Sequence, residues 1–126
     1  MSYLTDRKRA QGLGSGRYGT HHHWQMMSSS VALVFLVPVF IITFGIGMGG
    51  THEEVVAYFG KPFPAIVTAL TLYVGITHLM NEALVAVEDY IHGVTGKLTQ
   101  MAVRGFSYTL IAVGLFAIAK IAFTGV

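Results

Sequence analysis

The chain contains no cysteine. That excludes a disulfide framework, a thiolate nucleophile and a cysteine-ligated zinc or iron–sulfur centre built from these residues. Charge is scarce as well. Of 126 residues, eight are Lys or Arg and six are Asp or Glu, 11% in all, against about 25% in an ordinary soluble domain. A soluble fold of this length is mostly surface, and so few charged side chains cannot cover it. With 53% hydrophobic residues and a mean hydropathy of +0.61, the shortage excludes a soluble globular enzyme and indicates a membrane protein. There is room for one structural unit only. A net charge of +2 gives no reason to expect a nucleic-acid partner.

What is present is a set of long apolar runs. A helix needs roughly 20 mostly apolar residues to cross about 30 Å of hydrocarbon. No formal charge occurs from Tyr18 to His52, and Val31–Met48 forms the first candidate span. Pro38 and Gly45 inside it are tolerated in a membrane helix. The second span follows Lys61-Pro62-Phe63-Pro64, whose prolines suit the first turn of a helix. The third has the uncharged stretch Gly105–Ala119, with Arg104 and Lys120 snorkelling at its ends. The expectation is an all-α membrane protein with helices at about 29–49, 65–92 and 100–124. These make a three-helix transmembrane domain over 28–126, preceded by a flexible basic arm and interfacial lead-in over 1–27.

Arg7, Lys8, Arg9 and Arg17 precede the first span, and Lys97 and Arg104 lie in or beside the second loop. Only Lys61 and Lys120 fall on the other side. The positive-inside rule therefore predicts a cytoplasmic N-terminus and a periplasmic C-terminus. The arm lacks the short apolar region of a secretory signal, and the absence of an apolar helical face counts against a mitochondrial transit peptide. Gly45, Gly47, Gly49 and Gly50 mark a helix end and turn, and His52-Glu53-Glu54 reads as a solvated loop. His21-His22-His23, beside Trp24, reads as an interfacial segment. Ser28-Ser29-Ser30 suits hydrogen bonds to the preceding turn or to a neighbouring helix.

The second span carries the chemistry. At about 100° per residue, Thr71, His78, Glu82, Val85, Asp89 and His92 fall along one face. Ionisable groups inside a span turn toward the bundle interior and mark sites. A neutral imidazole near mid-membrane can ligate a metal, relay a proton or hydrogen-bond a neighbouring helix. No His-x3-His or His-Glu-x-x-His pair exists for a metal site made of protein ligands alone. A haem iron needs only one or two axial imidazoles. Since His78 is the only mid-span histidine, a bis-histidine haem would take its second ligand from another chain.

His78, ten intervening residues and Asp89-Tyr90 resemble the haem and quinone signature of the D-type hydrophobic membrane anchor subunits of succinate dehydrogenase, bacterial complex II. Tyr3-Leu4-Thr5-Asp6-Arg7-Lys8-Arg9-Ala10, Gly19-Thr20-x-His22-His23-Trp24, Tyr58-Phe59-x-Lys61-Pro62-Phe63-Pro64-Ala65 and Glu88-Asp89-Tyr90-Ile91-His92-Gly93 are similar to alphaproteobacterial members. The resemblance covers nearly the whole chain. It implies that His78 is an axial ligand of haem b, and thus the residue on the haem iron. It also implies that Tyr90 hydrogen-bonds a ubiquinone carbonyl oxygen and that Asp89 supports that site. The implied partners are a C-type cytochrome b anchor subunit, an iron–sulfur subunit and a flavoprotein subunit, held at the lipid bilayer. The implied activity is electron transfer from succinate to ubiquinone; having neither flavin nor cluster ligands, the chain is not a complete enzyme alone. Two positions depart from the family pattern. Glu82 stands where a glycine usually follows the haem histidine by four residues, and Met26-Met27 stand where an arginine often faces a haem propionate, a task open to Arg17 or to one of His21–His23. A reading from a different class keeps the three spans without haem and makes His78, Glu82 and Asp89 a proton relay in an accessory or assembly subunit.

Overall fold

The computed structural model describes residues 3–14 and 18–125. The described residues form five helices: α1 (Asp6–Gln11), α2 (Tyr18–Gly47), α3 (His52–Phe59), α4 (Pro62–Tyr90) and α5 (Gly93–Thr124). α2, α4 and α5 are each long and apolar enough to cross a membrane. They have 30, 29 and 32 residues; at 1.5 Å per residue the shortest is about 43 Å long. That exceeds the hydrocarbon thickness by more than two turns. α2 starts well before position 29 and α5 well before position 100, because hydropathy marks only the segment in the hydrocarbon. The backbone continues its internal hydrogen bonds into the headgroup region.

The helices form a row. α4 packs against both α2 and α5, while α2 and α5 make no close backbone approach among the described residues. The core is correspondingly thin, with Ala65, Val67, Met80, Leu84 and Ile111 as its buried apolar side chains. Gly114 lets α5 approach α4 closely, since a Cβ there would lie 2.6 Å from Leu72 Cδ2.

α2 runs through Pro38 and ends at Gly47, and Gly49 follows at φ +100°. The segment after it is helical, where a solvated loop was expected. Thr51 Oγ1 accepts from Glu54 N at 3.3 Å, and Thr51 N donates to Glu54 Oε2 at 3.2 Å. This reciprocal pair satisfies two helix-end donors and starts α3. α3 folds back on α2. The Tyr58 hydroxyl donates to the carbonyl of buried Thr43 at 2.7 Å, and the Phe44 and Phe59 rings sit 5.6 Å apart.

The corner between α4 and α5 is only Ile91-His92, both extended. α4 therefore stops at Tyr90 rather than 92, and His92 takes the position before the first turn of α5, with no side-chain cap, instead of continuing the α4 face. Gly93 has φ +71°, and a Cβ on buried Gly96 would lie 2.5 Å from the Ile91 carbonyl oxygen. Both glycines permit the tight reversal.

Candidate functional site

His78 lies near the middle of α4, about 24 Å along it from Pro62. Its side chain is 17% exposed. Ser29, from α2, brings its Oγ to 2.8 Å from His78 Nδ1, and the same hydroxyl donates to the Met26 carbonyl at 2.9 Å. On the other side of the ring, Nε2 lies 3.9 Å from Glu82 Oε1, one turn further along α4. The Glu82 side chain is 60% exposed, so other rotamers are open to it.

The remaining stripe does not converge on His78. Thr71 donates its hydroxyl to the Val67 carbonyl at 2.8 Å and is occupied within its own helix. Asp89 and Tyr90 are exposed in the last turn of α4. Tyr90 is 84% exposed, and none of the described residues hydrogen-bonds its hydroxyl. The stripe thus divides into an imidazole held between α2 and α4 and an open Asp89–Tyr90 corner.

Because α2 and α5 flank α4 without a close backbone approach among the described residues, a groove remains between them. It is a cleft of about 510 Å³ with Thr77, Met80, Asn81, Leu84, Val85 and Glu88 as its floor. Gly19, His22 and Gln25 line one wall, and Arg104 and Tyr108 the other. Met80, Leu84 and Val85 are apolar, whereas Glu88 and Arg104 bring opposite charges to its lining. The cleft holds neither His78 nor Tyr90, but Glu88 ties it to the corner where Asp89 and Tyr90 stand.

Several of these residues escape a reading of the sequence. Arg104 reads as a snorkelling cation and Tyr108 as packing, although their i, i+4 spacing already puts them on one face of α5. Asn81 and Gln25 carry no signal by type. Ser29 reads as one of three serines with local or interhelical bonds. It makes both kinds, and Ser30 donates only to Met26 O, at 2.8 Å. His21 lies 3.2 Å from Gln25 Nε2, while His22 lines the groove. Arg17, one candidate for a propionate partner, lies outside the described residues. No group of three or more His, Asp or Glu able to hold a metal occurs among the described residues.

The comparisons with known proteins agree with this architecture. The family model described as succinate dehydrogenase/fumarate reductase transmembrane subunit matches residues 1–119. A succinate dehydrogenase hydrophobic membrane anchor subunit from Paracoccus denitrificans is 42% identical over 120 residues, covering 95% of this chain and 93% of that protein. No solved structure matches the chain. Three apolar helices together with this kinship fit a multi-pass protein of the bacterial inner membrane. A match of the family model over residues 1–119, with a relative 42% identical over 95% of the chain, means that the chain belongs to the succinate dehydrogenase/fumarate reductase transmembrane subunit family.

Proposed function

We propose that this chain is the D-type anchor of a succinate:ubiquinone oxidoreductase, with its N-terminus in the cytoplasm. With a C-type anchor it binds haem b, forms part of the ubiquinone site and holds the flavoprotein and iron–sulfur subunits against the membrane. The observation that carries the reading is the setting of His78: a single imidazole at mid-span, fixed through Nδ1 by a neighbouring helix, with Nε2 on the other side of the ring.

The residues fit the group. An axial imidazole ligand uses one ring nitrogen and has the other hydrogen-bonded to the protein, which matches the Ser29 contact. Glu82 stands near Nε2, and its 60% exposure in the single chain leaves its side chain room to turn away from the ring. When bound, haem b supplies a one-electron redox centre. His78 would hold it through a ring nitrogen, and the partner anchor would supply a further ligand.

Tyr90 lies about 18 Å along the α4 axis from His78, at the end facing the basic side of the protein. Ubiquinone oxygens gain basicity as electrons arrive. A phenolic donor already in place stabilises that charge in a low-dielectric site. Asp89 is adjacent to Tyr90 and stands on the aqueous side, where it supports proton supply. The exposure of both residues in the single chain fits a pocket whose remaining walls come from the partner subunits.

The decisive experiment is an optical spectrum of the complex purified in mild detergent. The reduced complex gives a b-type haem spectrum, and His78→Ala or His78→Leu alters or abolishes it. An assembled complex without b-type haem, or a spectrum indifferent to both substitutions, refutes the axial-ligand role.

A further inference from the structure

We propose that Ser29 is the positioning residue that selects the His78 tautomer and aims its ring; this rests on His78 being the haem ligand. A hydroxyl has one proton to give. The Ser29 proton goes to the Met26 carbonyl, 2.9 Å away. Its contact with His78 Nδ1, at 2.8 Å, is then one in which Oγ accepts. The imidazole proton sits on Nδ1, and Nε2 keeps its lone pair, the form that binds iron. The opposite arrangement, with Ser29 donating to Nδ1, leaves the proton on Nε2, toward the Glu82 carboxylate at 3.9 Å. Ser29 and Glu82 thus favour opposite tautomers of one ring, one from α2 and the other from α4. Ser29 has the shorter contact and the less exposed setting.

The anchoring is also geometric. Ser29 and His78 are 49 residues apart and belong to different helices. The bond therefore fixes the imidazole plane relative to both α2 and α4. Ser30 makes the internal control, because it donates to the same Met26 carbonyl at 2.8 Å yet has no bond to His78.

The test uses the purified complex carrying Ser29→Ala, Ser29→Thr or Ser30→Ala. Haem content per flavin, the low-spin ferric resonance positions and the haem midpoint potential are read for each. Loss of a ligand's outer hydrogen bond costs about 10–100-fold in metal affinity. Ser29→Ala is expected to release haem at least tenfold more readily, to shift the ferric resonances and to raise the potential, since the imidazole becomes a poorer donor to ferric iron. A tenfold change in ferric-over-ferrous preference corresponds to about 59 mV. Ser29→Thr keeps the hydroxyl and stays close to the parent, as does Ser30→Ala. Ser29→Ala indistinguishable from the parent in all three readings overturns the proposal.

Nitrogen-15 shifts of His78, assigned by difference with His78→Gln in dithionite-reduced complex, separate this failure from failure of the haem reading. A complex without b-type haem refutes the haem reading. The shifts still decide the Ser29 assignment, with a protonated Nδ1 expected in the parent. A proton on Nε2 there overturns it.

Discussion

Replacing Tyr90 by Phe tests the proposed quinone role directly. The side chain is 84% exposed and makes no hydrogen bond to a described residue. Loss of the hydroxyl therefore leaves no orphaned partner inside the chain, and α4 keeps its last turn. The effect on folding of the chain is expected to be within about 0.5 kcal/mol, as for a surface substitution. Its effect on quinone chemistry is larger. A hydrogen bond to a group that becomes charged contributes about 1.5–3 kcal/mol. At about 1.4 kcal/mol per factor of ten, Tyr90→Phe should lower succinate–ubiquinone reductase activity by roughly ten- to a hundredfold. The assay pairs this rate with succinate oxidation by an artificial acceptor that takes electrons upstream of the membrane. The second rate should stay at the parental value, with flavin and haem content unchanged. Equal losses in both assays would signal failed assembly and refute the reasoning, as would a Tyr90→Phe complex that reduces ubiquinone at the parental rate.

Gly47→Ala should loosen the α2–α3 corner. The new Cβ would run into the Tyr58 ring and approach Phe59 Cε2 to 2.9 Å; overpacking of this kind costs about 1–3 kcal/mol. Thermal unfolding of the complex should begin at lower temperature, and the penalty should shrink when Tyr58→Leu is added, a coupling that a double-mutant cycle measures. Orientation can be read directly because the chain has no native thiol. In intact spheroplasts a membrane-impermeant maleimide should label Gly125→Cys and spare Thr5→Cys. The reverse pattern would invert the proposed topology.

The three spans were legible because hydropathy is additive along the chain, and crossing a bilayer imposes a minimum length on every run. The row they form was not. It depends on which apolar faces meet, and all three helices are apolar around most of their circumference. The groove between α2 and α5 follows from that row, so the meeting of His22, Gln25, Arg104 and Tyr108 around one cleft was invisible for the same reason. α3 did leave a signature, Thr51 followed three residues later by Glu54, the pattern of a reciprocal helix cap. Beside the glycine-rich stretch it read as a loop. His78 stood out by residue type and position, and Tyr90 through the family resemblance alone. Ser29 did not, since a bond across 49 residues leaves no periodicity behind. The face running from Thr71 to His92 was correct as helical geometry as far as Asp89. It ended at Tyr90, where Ile91, Gly93 and Gly96 turn the backbone.

A row of helices has two broad faces and almost no inside. None of the described side chains is completely shielded from solvent, and residues as large as Phe35, Phe106, Phe116 and Ile41 stay well exposed. Lipid covers such surfaces indifferently, as it would cover them in a misassembled chain. Discrimination between the right and the wrong arrangement must then come from whatever binds only the right one. For a chain of this kind, stability becomes a quantity linked by mass action to its partners. Its lifetime in the membrane should follow their supply, so that the amount of anchor is set by stoichiometry rather than by its own rate of synthesis.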